Sequence, residues 1–138
     1  PEIAEALARF RFLPPQLSEN DFITDYIARA NLREAVDADG NQGWTWRSDP
    51  KLRFLGQRRD YFASRLSHVS CPLALIRGGR SELISPSSFQ ATMALAPQDT
   101  VSFVIPDAGH HVMVDQPLAL VAALAGLLSS WPHREPKC

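Results

Sequence analysis

The sequence predicts an α/β fold in which a parallel sheet follows a helical region. Two apolar segments, residues 73–76 and 101–105, have the length and composition of buried strands, and a helix-like segment follows each. Strand, helix, strand and helix in this order are typical of parallel strands joined by right-handed crossovers. We therefore expect two parts, residues 1–68 with helices and loops and residues 69–138 with the βαβα unit.

The first part is predicted to contain helices and irregular loops. Helical spacing predicts a first helix with its apolar positions at Ile3, Leu7 and Phe10. Asn20 is expected to cap a second helix. The apolar face of that second helix comprises Phe22, Ile23, Tyr26, Ile27 and Leu32. Glycine and Asx residues predict a turn at 37–43, and a charged amphipathic helix is expected around Arg58–Leu66.

In the second part, residues that are typical of helix starts separate the predicted elements. Ser85 and Pro86 open a helix to about residue 96, because proline suits a first helical turn. A last helix is expected to start at Asp115 or Gln116, followed by Pro117, and to end near residue 131. The loops 78–85 and 107–116 then follow the two strands, at the sheet edge where ligands bind in open parallel sheets.

Composition excludes several classes of function. The chain has 138 residues, 45% of them apolar, and a net charge of −1, so no nucleic-acid or anionic-membrane partner is expected. Its most apolar stretch, residues 118–128, is too short to span a bilayer. Two cysteines do not form a disulfide framework, and a reduced cytoplasmic setting fits them better. The chain starts with proline and shows no signal peptide, so we expect it to begin inside a longer or processed protein.

The two loops carry the side chains that can do chemistry. A carboxylate after one strand can fix the tautomer of a histidine after the next and stabilise its imidazolium form, which makes Glu82 and His110 the candidate pair. Ser81 either bonds the histidine or satisfies the turn. Asp115 is interpreted as a helix cap and His111 as a neighbour of His110. No histidine or cysteine cluster has the spacing of zinc ligands, so no metal is expected.

Two segments resemble the C-terminal end of α/β-hydrolase fold enzymes. They are Arg77-Gly-Gly-Arg-Ser-Glu-Leu-Ile-Ser85 and Ile105-Pro-Asp-Ala-Gly-His-His-Val-Met-Val-Asp-Gln-Pro117. The segments Arg9–Phe12 and Gly43–Pro50 also look like the later part of a helical cap in bacterial members. The resemblance covers essentially the whole chain. It implies the C-terminal part of an α/β-hydrolase sheet, residues 69–138, preceded by the end of a cap, residues 1–68.

The resemblance also implies roles for the loop residues. The triad of this fold runs in the order nucleophile, acid, histidine, so His110 matches the general base that later acts as acid. The acid belongs on the loop after the preceding strand. Ser81 stands at its usual spacing and Glu82 comes next, and Glu82 is our choice, with an acid outside the chain as the alternative. No Gly-x-Ser-x-Gly elbow is present, so the nucleophile is expected outside this chain, which alone should be inactive.

The implied activity is hydrolysis of a small apolar carboxylic ester, without a cofactor. An epoxide hydrolase or a dehalogenase with an aspartate nucleophile is the alternative enzyme. A non-catalytic fragment or a partner-binding module is the alternative outside enzymes. Five aromatic residues of the first part either line an apolar substrate pocket or pack the cap, namely Phe10, Phe12, Trp44, Trp46 and Tyr61.

Overall fold

A computed structural model of the chain describes residues 2–18, 20–49 and 65–131. The chain divides into two compact units, residues 1–58 and 59–138. The first unit contains α1 (Ile3–Ala8), α2 (Asp21–Ala30), β1 (Leu32–Val36) and β2 (Gln42–Trp46). The second contains β3 (Ala74–Gly78), α3 (Pro86–Leu95), β4 (Val101–Ile105), α4 (Val112–Asp115) and α5 (Pro117–Ser130). Among these helices none combines the length and the hydropathy that a bilayer crossing demands.

The first unit contains an antiparallel hairpin that the sequence pattern did not predict. Strands β1 and β2 pair from Leu32 opposite Trp46 to Val36 opposite Gln42. The expectation of helices and loops alone is therefore wrong for these residues. The predicted turn between the strands is confirmed, since Asp37 Oδ1 accepts hydrogen bonds from the main-chain N of Asp39 and of Asn41.

The predicted apolar face of the second helix is only partly correct. Helix α2 starts after Asn20 as expected, although the Asn20 side chain makes no capping hydrogen bond. The helix ends at Ala30, so Leu32 belongs to β1, where it is 2% exposed. Phe22 and Tyr26 are 73% and 74% exposed and do not contribute to a core among the described residues. The helix predicted around Arg58–Leu66 lies almost entirely outside the described residues.

The second unit has the predicted order of strands and helices. Strands β3 and β4 pair in parallel from Ala74 beside Val101 to Gly78 beside Ile105. Helix α3 begins after Ser85, whose Oγ accepts a hydrogen bond from the main-chain N of Ser88 at 3.1 Å. A buried cluster joins β4 to the segment that follows it, and its members are Ile105, Ala108 and Val112, with Ile76, Leu120 and Ala123 packed against it. This cluster holds the start of the loop after β4 against the sheet.

Candidate active site

The loops after β3 and β4 lie side by side and are joined by their main chains. Gly79 N donates to Ile105 O at 2.8 Å, and Arg80 N donates to Ala108 O at 2.8 Å. The prediction that both loops meet at the carboxyl ends of the strands is confirmed. Because the joining groups are main-chain atoms, these two hydrogen bonds need no polar side chain at the residues that make them.

Gly78, the last residue of β3, allows a close approach between the two loops. A Cβ atom at this position would lie 1.9 Å from the carbonyl oxygen of Gly109 and 2.6 Å from that of Ala108. Real Cβ atoms do not tolerate such distances, so only glycine fits while the loops keep this position. The residue that the contact supports is Gly109, the immediate neighbour of His110.

The buried Arg77 fixes the shape of the first loop. It is 8% exposed, its Nε donates to Ile84 O at 2.6 Å, and its Nη2 donates to Gly79 O at 3.2 Å. A buried guanidinium needs such hydrogen bonds because an unsatisfied buried donor is costly. Sequence reasoning missed this role, although an arginine inside an apolar strand run is a visible signal of a buried polar contact.

His110 is half-buried at the start of the second loop and contacts Ser81 of the first. The distance from Ser81 Oγ to His110 Nδ1 is 3.4 Å. Ser81 is 7% exposed, and its Oγ also accepts a hydrogen bond from Ile84 N at 3.2 Å. Ser81 therefore fills both roles that the sequence left open, a turn contact and a contact with the histidine. Within the described residues the other ring nitrogen, Nε2, has no hydrogen-bond partner.

The surroundings of His110 favour its neutral form. Burial lowers the pKa of His110 from its ordinary value, and the nearby His111 lowers it further. The two imidazole rings lie edge to face with their centroids 5.2 Å apart. A neutral imidazole is the form that accepts a proton from a nucleophile.

Glu82, the predicted acid, lies one residue beyond Ser81 and is exposed. Within the described parts of the chain it makes no hydrogen bond or ion pair, so the structure does not bring it together with His110. Its role as triad acid stays a prediction. The carboxylate of Asp107 forms an exposed ion pair with Arg80 and, among the described residues, makes no hydrogen bond to the ring.

Asp115 has a role different from the predicted one. Helix α5 has Gln116 at its N-cap position, with no side-chain cap, and Asp115 is instead the last residue of α4. Its Oδ2 accepts a hydrogen bond from Gly109 N at 2.6 Å. The interpretation as a helix cap is therefore wrong. The carboxylate braces the second loop at the residue before His110, and no local sequence signal distinguishes that amide from those of the helix.

Replacing Asp115 with alanine is expected to lower the free energy of unfolding by about 1.5–3 kcal/mol, the usual contribution of a hydrogen bond to a charged group. Chemical denaturation measures this loss, and amide exchange at Gly109 should become faster. The control is Asp107→Asn, which removes only the exposed pair with Arg80 and should cost less than about 1 kcal/mol. Equal losses of unfolding free energy in the two variants would show that the hydrogen bond from Gly109 N to Asp115 does not stabilise the loop.

The low pKa of His110 predicts a loss of stability in mildly acidic solution. An unfolded histidine takes up a proton near its ordinary pKa of about 6.5, whereas folded His110 does so at a lower pH. The contribution of neutral His110 to the stability of the fold is thus fully present above the pKa of histidine in the unfolded chain. It is lost as the pH falls through the lower pKa of His110 in the folded chain. Urea unfolding measured above and below this pH range should show the loss of stability. The loss should be smaller in His110→Gln, which has no imidazole at this position. A pH dependence identical in the variant would refute this assignment.

A small apolar cavity adjoins His110. Its volume is about 200 Å³, and its lining comprises Leu75, Ile76, Arg77, Gly78, Ser81, Ile84, Phe89, Thr92 and His110. The part of the chain that the structure describes contains no group of three or more histidine, cysteine or carboxylate side chains arranged to hold a metal ion. The arrangement thus offers proton transfer beside an apolar space.

The aromatic residues of the first unit contact one another. Phe10 lies edge to face with Phe12 at a centroid distance of 5.0 Å, and 5.8 Å from Trp46. Phe10 and Phe12 also border a cavity of about 710 Å³, and Trp44 borders another of about 620 Å³ beside Glu2 and two other glutamates. Both a packing role and a pocket role are therefore compatible with these positions, while Tyr61 lies outside the described residues.

Comparison with known proteins finds one family and several solved structures that are similar to this chain. The profile described as "Alpha/beta hydrolase family" matches residues 1–124. The structure of E-2-(acetamidomethylene)succinate hydrolase matches with a TM-score of 0.70 at 21% identity, over 94% of this chain and 46% of that one. An esterase from Mycobacterium tuberculosis matches with a TM-score of 0.61 at 23% identity, over 93% of this chain and 40% of that one.

A third similar structure is the thioesterase domain from the curacin biosynthetic pathway. It matches with a TM-score of 0.59 at 25% identity, over 94% of this chain and 43% of that domain. The chain thus spans less than half the length of each of these three structures. At these identities the likeness to the first two shows the fold alone.

Proposed function

Because the chain belongs to the alpha/beta hydrolase family, we propose that it supplies the histidine half of a hydrolase active site that acts on a small apolar carboxylic ester. The observation that carries the proposal is the position of His110. It follows a parallel strand at the carboxyl edge of the sheet, its Nδ1 faces Ser81, and its Nε2 has no partner among the described residues.

In the proposed reaction His110 moves protons at Nε2. It accepts the proton of a serine hydroxyl while the serine oxygen attacks the ester carbonyl, and it then donates this proton to the departing alcohol as the carbon–oxygen bond breaks. A water molecule next gives a proton to His110 and attacks the acyl-enzyme. The acid is released and the serine recovers its proton. We place this serine outside the 138 residues, so the chain alone should be inactive.

The substrate class is supported by the cavity beside His110. Its lining is apolar except for Arg77, Ser81, Thr92 and the histidine itself. The Arg77 guanidinium in this lining donates to the carbonyl oxygens of Ile84 and Gly79. The rest of the space therefore favours an uncharged hydrocarbon group, because burying an unpaired charge is costly. The sequence predicts Glu82 as the acid of the complete triad, but Glu82 makes no contact with His110 among the described residues, and Ser81, beside Nδ1, competes with it for that place. No cofactor is required by this chemistry.

The test is to read the coding sequence immediately upstream of Pro1 and to treat the encoded protein with a fluorophosphonate probe. A strand followed by Gly-x-Ser-x-Gly, with a labelled serine, is the expected result. An aspartate at the elbow would replace ester hydrolysis with epoxide or halide chemistry. A stop codon or an unrelated sequence would refute the hydrolase proposal and favour a partner-binding module.

A further inference from the structure

Among the described residues, the hydrogen-bonding partner of His110 Nδ1 is a hydroxyl group. Ser81 Oγ lies 3.4 Å from His110 Nδ1, and the same oxygen accepts a hydrogen bond from Ile84 N at 3.2 Å. Arg77 in turn holds Ile84 by its carbonyl oxygen at 2.6 Å. The hydroxyl is therefore fixed by a buried loop, and its burial to 7% exposure limits competition from water.

We propose that Ser81 is the positioning residue of His110, holding the ring through Nδ1 with an uncharged hydroxyl where a catalytic triad carries a carboxylate. The proposal rests on His110 as the proton-transfer group and specifies how that group is oriented. A carboxylate only accepts hydrogen bonds, so it keeps the proton on Nδ1 and stabilises the imidazolium. A hydroxyl donates as well as accepts, so it orients the ring without a negative charge and without fixing the tautomer.

The electrostatics around the ring agree with a neutral partner. A carboxylate paired with an imidazole raises its pKa, because the opposite charge favours the protonated form. The pKa of His110 is instead lowered, first by burial and then by His111. Glu82, which follows Ser81 in the sequence, is exposed and makes no contact with the ring within the described residues.

The first experiment compares Ser81→Asp with Ser81→Asn. Both side chains have nearly the same size and both can accept the hydrogen bond from Ile84, so the two variants differ chiefly in charge. The titration midpoint of His110 should rise by about one pH unit or more in Ser81→Asp, since an opposite charge at hydrogen-bond distance shifts a pKa by this amount. In Ser81→Asn the midpoint should stay near that of the parent chain.

The titration is followed by NMR of the 138-residue chain labelled at its four histidines, with His110→Gln to assign the signal. Histidine hydrogen–deuterium exchange read by mass spectrometry gives the same midpoint at low protein concentration. Neither readout needs turnover, so an inactive protein does not bear on this proposal, and a failure of the hydrolase reaction is recognised separately.

The second experiment tests the natural contact. Ser81→Ala should change the ¹⁵N shift of His110 Nδ1, and Ser81→Thr, which keeps the hydroxyl, should restore it. Glu82→Gln should alter neither this shift nor the midpoint of His110. An unchanged Nδ1 signal in Ser81→Ala would overturn the proposal. A fall of the midpoint in Glu82→Gln would likewise overturn it and make Glu82 the partner of the ring.

Discussion

Replacement of Gly78 with alanine is expected to lower the free energy of unfolding of the second unit by about 3 kcal/mol or more. The added methyl carbon would lie 1.9 Å from the carbonyl oxygen of Gly109, and the obstacle is main chain rather than a flexible side chain. Overpacking of a tight site costs about 1–3 kcal/mol and sometimes more. The melting temperature should fall by more than about 10 °C in a unit of this size.

The matched control is Gly126→Ala. Gly126 lies in α5, and a methyl carbon added there would meet no atom of the described residues within 4 Å beyond its own helical backbone. The variant should therefore gain about 0.5–1 kcal/mol from helix propensity. The same substitution is thus expected to have opposite signs at two glycines of one unit. A Gly78→Ala protein that melts like the parent chain would show that the loops separate easily, and the close approach would lose its structural importance.

Replacement of His110 with glutamine is expected to lower the turnover of an ester by about 10²–10⁴-fold in the complete hydrolase that we propose. Glutamine keeps a polar side chain of similar size but cannot take up the proton of the nucleophile, and general acid–base catalysis contributes an effect of this size. The initial rate with a chromogenic short-chain ester measures the loss, with folding checked by circular dichroism.

The control for this variant is His111→Gln. His111 is the N-cap residue of α4 and contacts His110 ring to ring, but it is a neighbour and not the proposed base. Most of the turnover should therefore remain. Comparable losses in both variants would reassign the proton transfer to the histidine pair as a whole, and a fully active His110→Gln protein would exclude His110 as the base.

Local signals explain which elements could be predicted from the sequence. Strand β4 has the bounds expected for it, 101–105, because a short run of apolar and β-branched residues lies between turn residues. Helix α3 begins where Ser85 and Pro86 indicate. Hairpin β1–β2 was missed because Leu32–Val36 carries adjacent charges and no alternation, and its pairing with Gln42–Trp46 is a contact between separate segments.

The site was predictable to the level of its loops and its histidine. Parallel strands bring their carboxyl ends together by rule, so His110 and Ser81 were expected at one edge. Three features depend on the folded loops: the brace by Asp115, the close approach at Gly78 and the position of Ser81 beside Nδ1. A carboxylate before a helix is ordinarily a cap, and only the path of the main chain directs Asp115 to Gly109 instead.

The main-chain bonds between the two loops have a consequence for the evolution of this sequence. Since Gly79 to Ile105 and Arg80 to Ala108 are joined through backbone atoms, the exposed side chains on these loops are free to change while the histidine keeps its place. Arg80 and Leu83 are such exposed positions. Randomising these two positions should therefore cost little stability, whereas Gly78 and Asp115 should be kept unchanged.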